Sequence, residues 1–300
     1  MNHQRIAVII TCFNRCQKTL TCLTALFNQV LPAGIDVNVY LVDDGSTDGT
    51  GQAVAQQYPQ VNIIQGSGQL FWNGGMRLAW ERAMQSDYDF YLWLNDDTLI
   101  YPDALSKMLT TYEQVVAQGI PNSIIVGSTC DPETGEYTYG GLTPSRWWHP
   151  VYLKQIQPTD VPQSCQTLNG NCVLIPRSVF QLVGNLDPIF KHYAADHDYG
   201  FRAWQKGCQL FIPPGYIGTC PPNPHGTRSK AKNLKFDQQL QQVDQPKGLS
   251  LQDVTLQPFD EWKVYTQRHA GPFWPIFWLL PYRRLVWLSL LDKLKLIKAN

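Results

Sequence analysis

The sequence lacks several features that would assign it to a common class of protein. None of its eight cysteines forms a Cys-x-x-Cys pair, and 24 Lys and Arg residues are balanced by 24 Asp and Glu residues. Without paired cysteines, a structural zinc site is not indicated. Without net charge, the chain has no long-range field to attract nucleic acid. We therefore expect reduced, mostly buried thiols and no nucleic-acid partner.

A long apolar segment is also missing. The first residues carry no apolar run of the length found in a signal peptide. No window of about 20 uncharged apolar residues occurs either, so the sequence predicts no spanning helix. We therefore expect a cytoplasmic location. What the chain does have is 44% hydrophobic residues, which is enough for a globular core, and ten Trp.

The first half of the chain alternates strand-like and helix-like segments. Apolar or β-branched runs predict strands at residues 6–11, 37–42, 61–64, 88–94 and 123–127. Helical spacing occurs between them, at residues 15–30, 50–58, 74–84 and 102–118. This alternation predicts an α/β fold built from parallel βαβ units, with a mostly parallel central sheet. In such sheets, ligands bind outside the carboxyl ends of the strands.

Two acidic clusters directly follow predicted strands. Asp43 and Asp44 begin a Gly-rich segment without a Lys for phosphate, so their carboxylates suit hydrogen bonds to a base or to ribose hydroxyls. Asp96 and Asp97 follow the apolar run 88–94, and adjacent buried carboxylates repel each other unless a cation lies between them. Oxygen ligands favour Mg²⁺ or Mn²⁺. For each cluster, a turn that caps the next helix is the alternative.

A third acidic segment, Asp196-His197-Asp198, precedes a helix predicted at residues 198–206. A free carboxylate at this place suits a general base, and Asp196 is the candidate. A capping role in the following helix is the alternative for Asp198.

Six segments occur in the order found in one enzyme family. They are residues 8–15, 41–50, 71–77, 92–98, 169–177 and 194–202. Together they resemble a family 2 glycosyltransferase of the GT-A fold over residues 5–220, and the segment 71–77 is similar to rhamnosyltransferases and other surface-polysaccharide enzymes. The resemblance implies a nucleoside diphosphate sugar as donor, a saccharide or lipid-linked acceptor, and Mn²⁺ or Mg²⁺ as cofactor.

The resemblance also implies which residues contact the donor. They are Thr11, Asn14, Asp43, Asp44, Gly75 and Asp96. Asp97 would contact the metal and the diphosphate, with His225 as a further metal ligand. Arg228 and Lys230 would close over the diphosphate, although a solvated basic loop is the alternative for them.

The general base implied by the resemblance is Asp196. It would accept the proton of the acceptor hydroxyl during a direct displacement with inversion. Ala195 stands where the family usually has Glu, so any tuning of the base would fall to His197 or Asp198.

The sequence predicts three regions. Residues 1–235 form the catalytic domain, with a nucleotide-binding half to about residue 130 and an acceptor-binding half over 131–235, followed by a linker at 236–260 and an aromatic tail at 261–300. Within the tail, residues 271–295 combine Trp with Arg and Lys, which is typical of peripheral contact with a membrane, here the inner face of the cell membrane. Docking of the tail on the catalytic domain, or on a second copy in a homo-oligomer, is the alternative.

Three tryptophans are candidate sugar platforms, since an aromatic face offers flat apolar contact with a polar rim. They are Trp72, Trp147 and Trp148, and burial in the core is the alternative for Trp72.

Two other functions compete with sugar transfer. A nucleotidyltransferase that makes the nucleotide sugar would show a Gly-rich first loop, whereas residues 11–15 contain no Gly. A non-catalytic carbohydrate-binding protein is compatible with Ala195. The Gly66-Ser67-Gly68 segment lacks the third Gly of a dinucleotide loop, so a dehydrogenase is not indicated.

Overall fold

The computed structural model describes residues 3–191, 194–222 and 258–283. The chain divides into two compact units, the first made of residues 1–143 and 153–222 and the second of residues 144–152 and 223–300. The domain boundaries expected from the sequence stay predictions. The grouping of residues 144–152 with the C-terminal part of the chain was not expected from the sequence.

Helices and strands follow one another much as the hydrophobic pattern predicts. The strands are β1 (Gln4–Cys12), β2 (Ile35–Asp43), β3 (Asn62–Gln65), β4 (Phe90–Leu94), β5 (Leu99–Ile100), β6 (Ser123–Val126), β7 (Thr129–Cys130), β8 (Tyr137–Tyr139), β9 (Gly141–Arg146), β10 (His149–Gln155), β11 (Gln163–Cys165), β12 (Thr167–Leu168), β13 (Cys172–Pro176), β14 (Gln209–Ile212) and β15 (Gly218–Thr219). The helices are α1 (Cys16–Phe27), α2 (Thr50–Gln57), α3 (Phe71–Ala83), α4 (Ala104–Ala117), α5 (Arg177–Val183), α6 (Ala195–Gln205), α7 (Phe259–His269) and α8 (Trp274–Leu279).

The central sheet has eight strands in the order β11-β14-β6-β13-β4-β1-β2-β3. Strands β4, β1, β2 and β3 run parallel, as do β6 and β14. Among the described strands of this sheet, β13 and β11 run against their neighbours. The expected α/β fold with a mostly parallel sheet is therefore confirmed. Because β13 is antiparallel, its first residue, Cys172, pairs with the last residue of β4, Leu94.

Strand β1 lies in the middle of the hydrophobic core. Ile6, Val8 and Ile10 join Leu23 and Leu26 of α1 in one buried apolar cluster. The intervening side chains of β1 are buried as well. Since successive side chains of a strand point to opposite faces, burial on both faces explains why this segment is continuously apolar rather than alternating. Full burial of each large aliphatic side chain stabilises the fold by about 1.5–3 kcal/mol.

An aromatic cluster connects β4 to two helices. The ring of Trp93 in β4 lies 5.4 Å from Trp80 of α3 and 4.9 Å from Tyr199 of α6. Trp80 and Tyr199 are themselves 5.7 Å apart. Each such pair contributes about 0.5–1.5 kcal/mol beyond burial of its area. The cluster therefore fixes α3 and α6 relative to the end of β4.

The second unit is described for residues 144–152 and 258–283. Helices α7 and α8 pack together, and Trp262 Nε1 donates a hydrogen bond of 3.1 Å to the Phe277 carbonyl. The His149 ring lies 4.6 Å from the Phe277 ring, so the first residue of β10 contacts α8. Within the described residues, no helix has the length and apolar character needed to cross a membrane.

Candidate active site

The segments that follow β1 and β2 are hydrogen-bonded to each other. Cys12 pairs with Asp43 in the β1–β2 register, so both strands end at the same level. Asn14 Oδ1 accepts hydrogen bonds from the backbone N–H of Thr47 at 2.7 Å and from its hydroxyl at 3.3 Å. Asn14 adopts a positive φ of 50°, which Asn tolerates better than most residues. Asn14, Asp43 and Asp44 therefore lie in two adjoining loops at one edge of the sheet.

Gly75 brings α3 against the end of β1. A Cβ at this position would overlap the side chain of Thr11, so only glycine permits the observed approach. Two residues that the resemblance assigns to the donor are thus in direct contact. They lie beside the loops that carry Asn14 and Asp44.

Asp44 holds a loop that sequence reasoning did not connect to it. Its buried carboxylate accepts hydrogen bonds from the backbone N–H groups of Gly68 (2.8 Å), Leu70 (2.8 Å) and Phe71 (3.1 Å). A Cβ at Gly66 would collide with Asp44, which gives the Gly66-Ser67-Gly68 segment a structural reason. The capping turn considered for this cluster is present beside these contacts: Asp48 Oδ1 accepts a hydrogen bond of 3.1 Å from Thr50 N at the start of α2, and Asp43 Oδ1 accepts one of 2.9 Å from Ser46 N.

Asp96 and Asp97 share a cation that the chain itself supplies. Arg15 Nη1 lies 2.9 Å from Asp96 Oδ1 and 2.9 Å from Asp97 Oδ2. The Asp96 side chain is 6% exposed and that of Asp97 is 21% exposed. Burial raises the pKa of Asp96 to about 6, while Arg15 lowers it and Asp97 raises it further. The repulsion expected between the adjacent carboxylates is therefore relieved by a guanidinium.

Asp196 lies in the first turn of α6 rather than before it. This helix begins at Ala195, three residues earlier than the sequence predicts, and Ala194 precedes it with a positive φ of 60°. Asp196 Oδ2 accepts a hydrogen bond of 3.0 Å from Gly170 N, and Oδ1 accepts one of 2.8 Å from His197 N. The carboxylate remains 21% exposed.

The neighbours of Asp196 have different environments. His197 Nε2 lies 3.9 Å from Asp196 Oδ1. Asp198 is fully buried and pairs with Arg202 Nε at 2.7 Å, one turn along the same helix. The prediction that Asp198 caps this helix is wrong, since the residue before the helix is Ala194. Ala195 is also buried. Of the two residues considered for tuning the base, only His197 lies beside its carboxylate.

A continuous series of contacts joins Asp97 to Asp196. Cys220 Sγ lies 3.7 Å from Asp97 Oδ1, and Asn171 Nδ2 donates to the same sulfur at 3.4 Å. The residue before Asn171 is Gly170, whose N–H donates to Asp196. Asn171 O also accepts a hydrogen bond of 2.9 Å from Asn95 N. Gly170 and Asn171, which directly precede the antiparallel β13, thus lie between the acidic pair and Asp196.

Trp72 lies between the same two groups. Its Nε1 donates a hydrogen bond of 2.7 Å to Asn95 Oδ1, next to the acidic pair. A Cβ at Gly170 would lie 2.6 Å from the Trp72 ring and 3.4 Å from Asp196 Cβ. The ring is partly exposed, which is compatible with either the sugar platform or the core packing expected from the sequence.

The oxygen atoms of Asp96 and Asp97 suit a divalent cation. They already converge on one positively charged nitrogen, and Mg²⁺ commonly binds through one or two carboxylates together with substrate phosphates. The part of the chain that the structure describes contains no group of three or more metal-ligating side chains. Any remaining ligands would therefore come from the substrate, from water or from other parts of the chain. His225, Arg228 and Lys230 lie outside the described residues.

Sequence reasoning missed three contributors to this site. Arg15 forms ion pairs with both Asp96 and Asp97, Gly170 donates to Asp196, and Asn95 accepts from Trp72. All three belong to segments already singled out, but nothing in the local pattern indicates their partners. A separate cavity of about 530 Å³, lined by Cys165, Trp204 and neighbouring residues, contains none of the residues assigned to the donor.

Similarity to known proteins agrees with this arrangement. The chain is 26% identical over 203 residues to the N-acetylglucosaminyl-diphospho-decaprenol L-rhamnosyltransferase of Mycobacterium tuberculosis, covering 59% of this chain and 64% of that protein. The match therefore spans slightly less than two thirds of the relative's length.

Two solved structures share the fold at low identity. One is S. aureus TarS 1–349, with a TM-score of 0.52, 14% identity and coverage of 74% of this chain and 61% of that chain. The other is the mannosyltransferase PcManGT from Pyrobaculum calidifontis in complex with GDP-Man and Mn²⁺, with a TM-score of 0.53, 14% identity and coverage of 94% and 70%. These similarities confirm the expected GT-A fold.

The family match covers most of the site. Residues 7–183 match the glycosyl transferase family 2, a range that includes both donor loops, the acidic pair and Gly170. This result favours sugar transfer over a nucleotidyltransferase. The chain belongs to glycosyl transferase family 2.

Proposed function

We propose that this glycosyltransferase transfers a sugar from a nucleoside diphosphate sugar to a saccharide or lipid-linked acceptor, with inversion at the anomeric carbon. The observation that carries the proposal is the series of contacts from Asp97 through Cys220, Asn171 and Gly170 to Asp196. An acidic pair that suits the leaving diphosphate and a carboxylate that suits a proton acceptor lie at one end of β4. A direct displacement needs both groups on opposite sides of one sugar.

Asp196 acts as the general base in this proposal. Each of its oxygens accepts one backbone N–H bond, which orients the carboxylate. A carboxylate can accept further hydrogen bonds at its remaining lone pairs, so it can still receive the proton of an acceptor hydroxyl. His197, close to Oδ1, provides a second polar group at the same place. The partial exposure of Asp196 leaves access for the acceptor.

Asp97 and Asp96 would hold Mn²⁺ or Mg²⁺, and His225 is the proposed additional ligand. When bound, the cation would neutralise negative charge on the departing diphosphate. Thr11, Asn14, Asp43, Asp44 and Gly75 would form the nucleotide site, with the buried Asp44 shaping the loop at residues 66–71 rather than acting only through direct contact. Arg228 and Lys230 would close over the diphosphate.

A lipid-linked acceptor is proposed because the mycobacterial relative's name specifies a diphospho-decaprenol substrate. The second unit supports contact with a lipid surface. Trp147 is 93% exposed, and Phe273, Ile276 and Leu279 around α8 are also exposed. Trp with flanking cations is typical of an interfacial segment. We therefore propose a cytoplasmic enzyme bound peripherally at the inner face of the membrane through residues 271–295 and the turn at Trp147.

The test is an assay of nucleoside diphosphate release with Mn²⁺. The donors are nucleoside diphosphate derivatives of L-rhamnose, N-acetylglucosamine and mannose, each tested with a polyprenyl-diphosphate N-acetylglucosamine acceptor. We expect acceptor-dependent release with one donor, and NMR of the product should show inverted anomeric configuration. Retained configuration would contradict direct displacement. Donor binding without release for any pair would favour the non-catalytic alternative.

A further inference from the structure

Arg15 occupies the place between Asp96 and Asp97 that a metal ion would need. A single nitrogen, Nη1, contacts one oxygen from each carboxylate at 2.9 Å. A divalent cation bound by the same two oxygens would lie within a few ångströms of this guanidinium. Two positive groups cannot share that position, so metal and Arg15 compete for the acidic pair.

The backbone of Arg15 is fixed by hydrogen bonds, whereas its side chain is partly exposed and is held by the two carboxylates. Its carbonyl accepts hydrogen bonds from Thr19 N at 2.9 Å and from Thr19 Oγ1 at 3.0 Å, and Cys16 N donates to Asp48 at 3.0 Å. The preceding Asn14 is bound to Thr47. The Arg15 side chain is 46% exposed. Displacement of the guanidinium would therefore break its two ion pairs, while the backbone hydrogen bonds of the loop could stay in place.

We propose that Arg15 is an exchangeable internal counter-cation that makes metal binding depend on the donor. This inference rests on the proposed function and concerns the control of metal binding at the same site. Without a nucleotide, the single positive charge of Arg15 lies between the two carboxylates and opposes binding of the metal. When a diphosphate is present, the released guanidinium gains a new anionic partner, because guanidinium groups form strong paired hydrogen bonds with phosphate.

This exchange has a thermodynamic consequence. When metal binds alone, the two ion pairs of Arg15 with Asp96 and Asp97 are broken without replacement. When metal binds together with a diphosphate, Arg15 forms new ion pairs with the diphosphate. Affinity for the metal should therefore rise when diphosphate is bound, and affinity for the diphosphate should rise by the same factor when metal is bound. Arg15 is a positioning residue in this scheme, since it acts through the acidic pair.

The decisive measurement is the affinity of the full chain for Mn²⁺ in the absence of nucleotide. This affinity is obtained from a titration in which the electron paramagnetic resonance signal reports the concentration of free Mn²⁺. We expect Arg15→Gln to bind Mn²⁺ roughly tenfold more tightly than the unaltered protein, within the usual range of coupling between sites. Arg15→Lys keeps the charge and should stay near the unaltered affinity. Adding Asp97→Ala to Arg15→Gln should abolish the gain.

Lys18→Gln is the matched control. Lys18 is an exposed residue of α1, and its replacement removes the same charge close to Arg15. A general electrostatic effect would increase Mn²⁺ affinity equally in both variants and overturn the proposal. Equal affinity of Arg15→Gln and the unaltered protein would also overturn it, while Mn²⁺-dependent release of nucleoside diphosphate would show that the proposed function still holds. Circular dichroism would verify that Arg15→Gln is folded, and Arg15→Met provides a second neutral variant.

Discussion

Replacing Asp196 by Asn tests the general base with little change in side-chain volume. The amide cannot accept a proton from the acceptor hydroxyl as a carboxylate does. We expect turnover to fall by roughly 10²–10⁴-fold, the usual contribution of a positioned general base. This loss corresponds to about 2.7–5.5 kcal/mol of activation free energy. Binding of the donor should be retained, because the contacts of Asp196 are with Gly170 and His197.

The same substitution has a structural cost that can be separated from catalysis. Both oxygens of Asp196 accept backbone N–H bonds, and an Asn side chain keeps only one acceptor oxygen. Loss of one charge-assisted bond at a partly exposed site destabilises the fold by about 1–2 kcal/mol. For a domain of this size, the melting temperature would fall by about 2–8 °C. With a typical stability of about 5–15 kcal/mol, nearly all molecules stay folded.

Asp89→Asn is the matched control for this experiment. Asp89 lies at the opposite end of β4 and accepts a backbone hydrogen bond of 2.8 Å from Arg5. We expect a similar fall in melting temperature and nearly unchanged release of nucleoside diphosphate. Turnover of Asp196→Asn within about threefold of the unaltered enzyme would remove Asp196 as the base. Equal loss of turnover in both variants would attribute the effect to folding.

Three further perturbations address other parts of the structure. Asp44→Ala should reduce the free energy of unfolding, measured in urea, by about 2–4 kcal/mol, because three backbone N–H groups lose a charged acceptor. An unchanged urea concentration at the midpoint of unfolding would contradict the role of Asp44 in stabilising the loop at residues 66–71. Iodoacetamide at pH 7.5 should label Cys16 first, since Cys16 alone is partly exposed among the eight cysteines and burial raises the pKa of Cys165 to about 12. Mass spectrometry would identify the labelled residue. Rapid labelling of Cys165 would contradict its burial in this structure. Trp147→Ser with Trp148→Ser should weaken co-sedimentation of the full chain with anionic phospholipid vesicles several-fold, with the exposed Trp204→Ser as control; equal co-sedimentation of both variants would contradict membrane contact by this turn.

The strands and helices and the positions of the acidic clusters depend on local sequence, and the sequence predicts them well. Continuous apolar runs such as β1 require burial on both faces, and this pattern is visible without any knowledge of neighbours. The same reasoning predicts Asp43 and Asp96 at the carboxyl ends of parallel strands. The ends of helices are harder to predict from the sequence. Helix α6 begins at Ala195, where no side-chain cap marks its start.

The partners of the site residues could not be predicted in this way. Arg15 and Asp96 are 81 positions apart, and their ion pair exists because β1 and β4 are adjacent in the sheet. Asp196 faces Gly170 because β13 runs antiparallel to β4, which a pattern of strand and helix does not reveal. Hydrophobic periodicity is decided within each segment by its own side chains. Contacts between segments depend on strand order and direction, which are settled only when the whole sheet and its core are assembled.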